Sequence, residues 1–318
     1  MNDVNDIRPT SLRHFVGQKD VVAALSVAID SCFADNRPLE HCLLVGPPGV
    51  GKTEIASILA MELATSVHDS LGQSIRCHAD LHALLLGAKD KHIVFIDEVH
   101  ELPKVFQTAL YLALDRHKLS VCGAKSVQSI SLANFTLILG TTDEYSVLQP
   151  LRDRMKLVLR IDFYSAEELA QIVRLRAKAL EWELEEGLLG LIAQRSRGTP
   201  RLALRLLQAC RRVCRALGEQ KLTLMHLEKA CSLESLDILG LGRTEQKYLE
   251  ILLEGASRLN VISSMLGLPS RTVSQVTEPF LIRAGLVIKD DQARRQLTAL
   301  GHEHVKRNCQ DVVQFVKE

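Results

Sequence analysis

The segment GPPGVGKT, residues 46–53, constrains the fold more than any other part of this 318-residue sequence. It follows the apolar run HCLLV and precedes a stretch with helical spacing, so we expect a glycine loop between a buried strand and a helix. The glycines from Gly46 to Gly51 let successive backbone N–H groups close around a phosphate. Lys52 can reach the β and γ phosphates, and the Thr53 hydroxyl can ligate Mg²⁺. The segment therefore predicts a P-loop that binds a nucleoside triphosphate.

Two further apolar runs end in polar residues. HIVFI, residues 92–96, leads into Asp97 and Glu98, and FTLIL, residues 135–139, leads into GTT, which ends at Thr142. Strands separated by helices suggest a parallel sheet with its ligand at the carboxyl ends. We expect Asp97 to hold Mg²⁺ through water, Glu98 to orient or deprotonate the attacking water, and Thr142 to contact that water or the γ phosphate. Alone, the Asp-Glu pair is also compatible with a solvated corner, and Thr142 with ordinary strand propensity.

Two arginine-containing segments follow the predicted sheet. PLRDR, residues 150–154, carries Arg152 and Arg154, and an arginine at this place after the sheet can project as a finger onto the γ phosphate of a neighbouring subunit. GTPR, residues 198–201, places Arg201 in the first turn of a helix, from which it can reach back to the nucleotide. In isolation, the first segment is also compatible with surface charges and the second with an exposed arginine at a helix start.

The chain changes character after residue 162. SAEELAQIVRLRAKAL opens with Ser165 three residues before Glu168, a capping-box pattern, and further helical segments follow up to residue 240. From Arg243 the order helix, turn, helix and apolar edge is typical of a helix-turn-helix with a wing. The sequence predicts an α/β P-loop domain with a parallel sheet flanked by helices at 1–162, an all-helical lid at 163–240 and a winged helix at 241–318.

Composition narrows the class of protein. The formal net charge is +1, so any contact with nucleic acid must come from a local patch. No apolar run approaches the roughly 18 residues that cross a bilayer, and the polar start MNDVNDIRPT has no apolar stretch typical of a secretory signal. The eight cysteines are scattered without a C-x-x-C pair, which favours reduced thiols in a cytoplasmic protein.

Taken together, these motifs resemble those of the AAA+ ATPases and, more narrowly, the RuvB family of motors that drive branch migration of Holliday junctions. The narrower resemblance rests on RPTSLRHFVGQ at 8–18, GPPGVGKT, FIDEVHEL, PLRDR, AEELAQIVR, RSRGTPRLALRLL and EPFLIRAGL, which together span residues 8–288. It implies an AAA+ P-loop domain, a helical lid and a winged-helix DNA-binding domain. It also implies a homo-oligomeric ring, a hexamer, that hydrolyses ATP with Mg²⁺ and pulls duplex DNA through its centre.

The resemblance also implies roles for individual residues. The nucleotide would be held by Ile7, Arg8 and Tyr164 around the adenine, by Gly46, Gly49, Gly51, Lys52, Thr53 and Glu54 around the phosphates, and by Arg201 as the second sensor. Mg²⁺ would be bound by Thr53 and Asp97, and the catalytic residues would be Glu98, Thr142 and the finger Arg152. The segment KDDQARR lies where the family's basic wing touches DNA. It implies phosphate contacts by Lys289, Arg294 and Arg295, although its two acids are also typical of a solvated charge cluster.

Several positions depart from the family pattern. Glu101 stands where the family usually has an arginine, and Asp143-Glu144 replaces another arginine after the paired threonines. HKLSVCGAKSVQSISLANF, residues 117–135, predicts a β-hairpin shorter than the one that docks RuvA in the family, with its turn at residues 122–126. The resemblance implies a RuvA-like partner. The shortened hairpin counts against such docking and favours a divergent paralogue with a changed partner.

The sequence thus predicts an ATP-hydrolysing DNA motor that acts on four-way junctions. Two alternatives stay open: a loader, similar to a clamp loader, that uses ATP to place another protein on DNA, and a nucleotide-gated scaffold that binds DNA without sustained hydrolysis. Glu98, Arg152 and Arg201 together argue for hydrolysis, because a scaffold needs none of them.

Overall fold

A computed structural model describes residue 4 and residues 8–122 and 127–315. The chain divides into two compact units. The first contains the residues up to Leu180 together with Gly198–Arg201, and the second contains Glu181–Arg197 and the residues from Leu202 onward. The turn of the predicted hairpin, residues 123–126, lies outside the described residues, as does Ile7.

The described part of the first unit is built on a five-stranded parallel sheet. Its strands and those of the neighbouring hairpin are β1 (Cys42–Val45), β2 (Val67–Leu71), β3 (Ile93–Asp97), β4 (Lys118–Cys122), β5 (Val127–Ser131), β6 (Thr136–Thr141) and β7 (Leu157–Arg160). The order across the sheet is β2-β3-β6-β1-β7, with every pairing parallel. β4 and β5 pair antiparallel, which confirms the predicted hairpin. The strands predicted from HCLLV, HIVFI and FTLIL are confirmed as β1, β3 and β6.

The register of the central strands brings their carboxyl ends to one edge. Val45 of β1 lies opposite Thr141 of β6, and Ile96 of β3 lies opposite Leu139 of β6. The P-loop therefore leaves β1 beside the end of β6, with Asp97 one strand further along. A parallel sheet binds ligands at this edge.

Helices cover the sheet because its central strands β1, β3 and β6 are apolar on both faces. The helices of this unit are α1 (Lys19–Ala34), α2 (Lys52–Glu62), α3 (His78–Gly87), α4 (Lys104–Arg116), α5 (Gln149–Arg152) and α6 (Ala166–Ala179). One core is formed by buried strand residues packed with α3 and α4, among them Val94, Leu137, Leu81 and Leu110. The predicted capping box is confirmed: Glu168 N donates to Ser165 Oγ at 3.2 Å, and Ser165 N donates to Glu168 Oε2 at 2.8 Å.

The second unit contains the helical segments that follow and a winged helix. Its elements, with α8 beginning in the first unit, are α7 (Leu188–Gln194), α8 (Pro200–Ala216), α9 (Leu224–Glu234), α10 (Arg243–Leu253), α11 (Leu259–Leu266), α12 (Ser270–Thr272), α13 (Glu278–Arg283), β8 (Val287–Lys289), β9 (Arg295–Leu297) and α14 (Ala299–Phe315). A π-helical stretch, Val273–Thr277, joins α12 to α13. β8 and β9 pair antiparallel and form the wing. Tyr248, Leu281 and Val287 are fully buried in the core of the winged helix. The predicted helix-turn-helix with a wing is confirmed.

Candidate functional site

The P-loop lies against the end of β6. Gly46 N donates to Thr141 O at 3.1 Å, and Gly49 has a φ of 81°, a left-handed conformation in which a side chain is strained. The Lys52 ammonium is buried and donates to Gly46 O at 2.8 Å and to Pro47 O at 3.2 Å. Burial lowers the pKa of Lys52, while the Glu98 and Asp97 carboxylates oppose that shift. Lys52 thus lies across the loop with the acidic pair nearby.

The two predicted Mg²⁺ ligands are in contact. Thr53 Oγ1 donates to Asp97 Oδ2 at 2.8 Å, while Asp97 Oδ1 accepts from Glu98 N at 2.9 Å. A Cβ on Gly140 would come within 2.6 Å of Asp97 Oδ1, so only glycine lets the carboxylate lie this close to β6. A hydroxyl and a carboxylate beside a phosphate loop are the oxygen ligands that Mg²⁺ prefers. The residues present therefore fit the metal.

Glu98 follows Asp97 on a left-handed turn, with a φ of 49°. This conformation turns the carboxylate toward the end of β6, where Thr142 Oγ1 lies 3.4 Å from Glu98 Oε2. The predicted catalytic pair is thus brought together. The neighbouring Thr141 is fully buried, and its hydroxyl donates to Asp143 O at 3.0 Å, so Thr142 is the threonine that faces Glu98.

Arg201 lies directly on the P-loop. Its backbone N donates to Gly49 O at 3.3 Å, and a Cβ placed on Gly49 would come 3.0 Å from Arg201 Cβ. α8 begins at Pro200, so Arg201 occupies the first turn as predicted, with an exposed side chain. The backbone of Gly198 helps to fix this approach, because Gly198 O accepts from Tyr164 N at 2.9 Å.

The residues expected around the adenine are only partly described. Arg8 Nε lies 4.0 Å from Glu54 Oε2, and Glu54 Oε1 is buried without a hydrogen bond among the described residues. Burial raises the pKa of Glu54, and the Arg8 and Arg176 guanidiniums oppose that rise. Tyr164 is buried and donates its hydroxyl hydrogen to Val50 O at 3.1 Å. Arg8, Glu54 and Tyr164 therefore all contact the P-loop or its helix, while Ile7 lies outside the described residues.

The two arginines of PLRDR have different surroundings. Arg154 donates twice to Asp115, at 2.8 and 2.5 Å, and also to Pro150 O at 2.7 Å. Arg152 ends α5 with one hydrogen bond to Gln149 Oε1 at 3.2 Å and its guanidinium 5.4 Å from the centre of the exposed Tyr145 ring. Its Nε is buried without a partner among the described residues. Arg154 is thus fixed by contacts within the chain, whereas Arg152 is held by fewer of them.

The sequence analysis did not single out His100. Its Nδ1 lies 3.3 Å from Glu98 Oε2, and its Nε2 lies 3.5 Å from Glu101 Oε1. The signal available in the sequence was its position two residues after Glu98, inside the FIDEVH segment. A short 3-10 turn, Val99–Glu101, folds the histidine back beside the carboxylate.

The wing differs from its predicted role at Arg295. This side chain is buried, and its guanidinium donates to both oxygens of Glu278, at 2.6 and 3.2 Å. Its placement argues against a contact with DNA, because a buried guanidinium paired with a carboxylate cannot also reach a phosphate. Lys289 and Arg294 are about half exposed, although Lys289 Nζ lies 3.4 Å from Glu278 Oε2 and Arg294 Nε lies 2.8 Å from Asp290 Oδ2. They are the two predicted wing contacts that solvent can reach.

We expect Glu278→Gln to destabilise the winged helix by about 3 kcal/mol, because it leaves the buried Arg295 charge uncompensated. Burial by itself raises the pKa of Glu278, but Arg295 and Lys289 outweigh it and hold this pKa below its ordinary value. The pair therefore contributes stability above about pH 4, which is lost as the pH falls further. Hydrogen exchange of the α10 and β9 amides in urea measures the change. Glu303→Gln, which removes an exposed pair with Arg307, should alter the same free energy by less than about 0.5 kcal/mol.

A parallel sheet with a P-loop after β1, an acidic pair at the end of β3 and a sensor-like arginine defines a P-loop ATPase of the AAA+ class. Family models described as the Holliday junction DNA helicase RuvB P-loop domain, the RuvB AAA lid domain and the RuvB C-terminal winged helix domain match residues 7–161, 164–238 and 238–306. The chain belongs to the RuvB family.

Individual relatives agree with the family models over nearly the whole chain. The Holliday junction branch migration complex subunit RuvB of Kosmotoga olearia is 36% identical over 296 residues, covering 91% of this chain and 86% of the relative. The protein of that name from Prochlorococcus marinus is 35% identical, covering 96% and 89%. The solved structure of the Thermotoga maritima RuvB Holliday junction branch migration motor superposes with a TM-score of 0.83 at 33% identity, covering 94% of this chain and 98% of that one.

Two other classes of site are not found among the described residues. No group of three or more histidine, cysteine, aspartate or glutamate side chains in residues 8–122 and 127–315 is arranged to hold a metal ion. In the same part of the chain, no helix has the length and apolar character needed to cross a membrane.

Proposed function

We propose that this protein is an ATP-hydrolysing motor that drives branch migration of four-way DNA junctions. The observation that carries this proposal is the convergence of Lys52, the Thr53–Asp97 pair, Glu98 and Arg201 at one edge of the parallel sheet. Membership of the RuvB family supports DNA as the substrate that the motor moves. The cytoplasm is the expected location for such work.

Each of these side chains can be given a task in hydrolysis. Lys52 offers its ammonium to the β and γ phosphates, and Glu98 takes a proton from the water that attacks the γ phosphate in line. Thr142, whose hydroxyl lies 3.4 Å from Glu98 Oε2, would contact the same water. Thr53 and Asp97 would hold Mg²⁺, which when bound neutralises charge on the phosphate oxygens.

We infer that the working form is a homo-oligomeric ring, a hexamer. Arg152 would serve as a finger in trans, and such a residue needs a neighbouring subunit to whose nucleotide site it contributes. Arg201 senses the nucleotide of its own subunit through the P-loop contact at Gly49. Loss of the γ phosphate would release both arginines, and the resulting change in domain positions is the source of movement.

The remaining parts of the chain are assigned to DNA and to a partner protein. We assign residues 1–162 to the nucleotide domain, 163–240 to the lid and 241–318 to the DNA-binding winged helix. Lys289 and Arg294 would contact the phosphate backbone, which makes binding independent of sequence and sensitive to salt. The β4–β5 hairpin is the candidate surface for a junction-binding partner, and the shortened sequence at 117–135 counts against a RuvA-like protein in that role.

A steady-state ATPase assay with synthetic DNA tests the proposal. We expect turnover to rise when a four-way junction is added, and a fluorescently labelled junction to be converted into duplex products only when ATP is present. The matched control is a linear duplex of the same length and sequence composition. ATP hydrolysis without junction conversion would favour a loader, and DNA binding without hydrolysis would favour a nucleotide-gated scaffold.

A further inference from the structure

His100 lies between two carboxylates on the short turn that follows β3 and the acidic pair. Its two ring nitrogens face Glu98 and Glu101, at 3.3 and 3.5 Å. Exposure rises from His100, whose side chain is 17% exposed, to Glu101 at 53%. The histidine thus lies between the predicted catalytic carboxylate and a carboxylate at the surface.

Nδ1 of the His100 ring has a second oxygen neighbour besides Glu98. This nitrogen also lies 3.2 Å from Thr141 Oγ1. The Thr141 hydroxyl already donates its hydrogen to Asp143 O and accepts from Asp143 N at 3.0 Å, so it offers His100 only a lone pair. Nδ1 therefore faces two acceptor oxygens: it donates its hydrogen bond to Thr141 Oγ1 at 3.2 Å, and Glu98 Oε2 lies beside it at ion-pair distance, 3.3 Å.

The other ring nitrogen has a matching environment. Nε2 faces Glu101 Oε1, which is an acceptor as well. A carboxylate on this side restricts rotation of the ring, as a partner carboxylate does for other site histidines. His100 and Glu101 lie on the same short turn, Val99–Glu101, so the ring has Glu98 on one side and Glu101 on the other.

We propose that His100 is a positioning residue, which holds the Glu98 carboxylate in place through Nδ1 and is itself held by Glu101 through Nε2. This inference rests on the proposed function, because it takes Glu98 as the base that activates water. Glu98 Oε2 then lies between His100 Nδ1, at 3.3 Å, and the hydrogen-bond donor Thr142 Oγ1, at 3.4 Å, and these two contacts restrict the direction from which it approaches the water. Displacement of a reacting group by about 1 Å can cost about 100-fold in rate, so such a restraint has a measurable effect.

Two substitutions with amide side chains distinguish the contributions of the two ring nitrogens of His100. The amide nitrogen of His100→Asn can replace Nδ1 and that of His100→Gln can replace Nε2. We therefore expect His100→Asn to keep kcat for ATP within about threefold of the parent protein, and His100→Gln and His100→Ala to lose about 10- to 100-fold. KM should stay within about twofold in all three, because the restraint acts on the attacking water and not on nucleotide binding. Glu101→Gln should lower kcat by less than His100→Ala, since it loosens the ring without removing it.

Chemical rescue provides the readout that a merely structural role would not produce. Free imidazole added to His100→Ala should restore part of kcat, with no effect on Glu98→Gln. Thermal midpoints and ATP affinities identify any variant that fails to fold. If His100→Ala fails to fold, the comparison of His100→Asn with His100→Gln still tests the inference. Equal kcat in the Asn and Gln variants, or no response to imidazole, would overturn the inference. If Glu98→Gln itself turns over ATP normally, the proposed base is wrong, which is a distinct result.

Discussion

Glu98→Gln is expected to bind ATP with nearly unchanged affinity and to lose about 10²- to 10⁴-fold in kcat, the range typical of a general base. The amide keeps the size of the side chain and can still accept a hydrogen bond from Thr142 or His100. It cannot take a proton from water. Because Lys52 and the Thr53–Asp97 pair are unchanged, the contacts proposed for the phosphates and Mg²⁺ remain. Fluorescent nucleotide titration and a steady-state phosphate-release assay measure the two quantities separately.

The matched control for this variant is Glu40→Gln. Glu40 precedes β1 and so lies at the opposite end of the sheet, where its carboxylate forms long surface pairs with Lys156 at 3.5 Å and Arg37 at 3.8 Å. Its turnover should equal that of the parent protein. Normal ATPase activity in Glu98→Gln would mean that another group activates the water, and the proposed roles of Thr142 and His100 would fall with it.

Features that depend on local sequence could be predicted for this chain. The P-loop, the capping box at Ser165 and the helix-turn-helix are each encoded within a short segment, because the backbone geometry depends on neighbouring residues. The strands β1, β3 and β6 were predicted as continuous apolar runs, which is how a strand covered on both faces is recognised. β2, with the sequence VHDSL, carries no such run, and its place at the edge of the sheet explains why.

Contacts between distant residues could not be predicted in the same way. Arg295 looked like a surface residue of a basic wing, but folding brings it against Glu278 on α13, 17 residues earlier. Arg152 and Arg154 are equivalent in the motif, and only the presence of Asp115, 39 residues from Arg154, distinguishes them. A charge pattern gives the number of charges but not their partners, so its meaning depends on the tertiary structure.

Arg152→Ala is expected to lower kcat by about 10³-fold or more, the effect typical of an arginine finger, with ATP affinity largely unchanged. The physical reason is that a finger stabilises charge that develops on the γ phosphate during transfer and contributes little to the bound ground state. Arg154→Ala is the matched control, since Arg154 is paired with Asp115 in its own subunit. Arg154→Ala should retain turnover when it is measured at a temperature low enough to offset the stability lost with the Asp115 pair. Phosphate release and nucleotide titration on the purified oligomer provide the comparison.

Mixing subunits tests whether Arg152 acts in trans. An Arg152→Ala subunit keeps its own P-loop, and a Lys52→Ala subunit keeps its Arg152, so a mixed ring contains interfaces at which both groups are intact. Each variant alone should be inactive, and mixtures should show a maximum of activity at an intermediate ratio. Inactivity at every ratio, with mixed rings demonstrated by mass spectrometry, would place Arg152 in the site of its own subunit. The ring would then no longer be required by the chemistry of hydrolysis, because each nucleotide site would be complete within one chain.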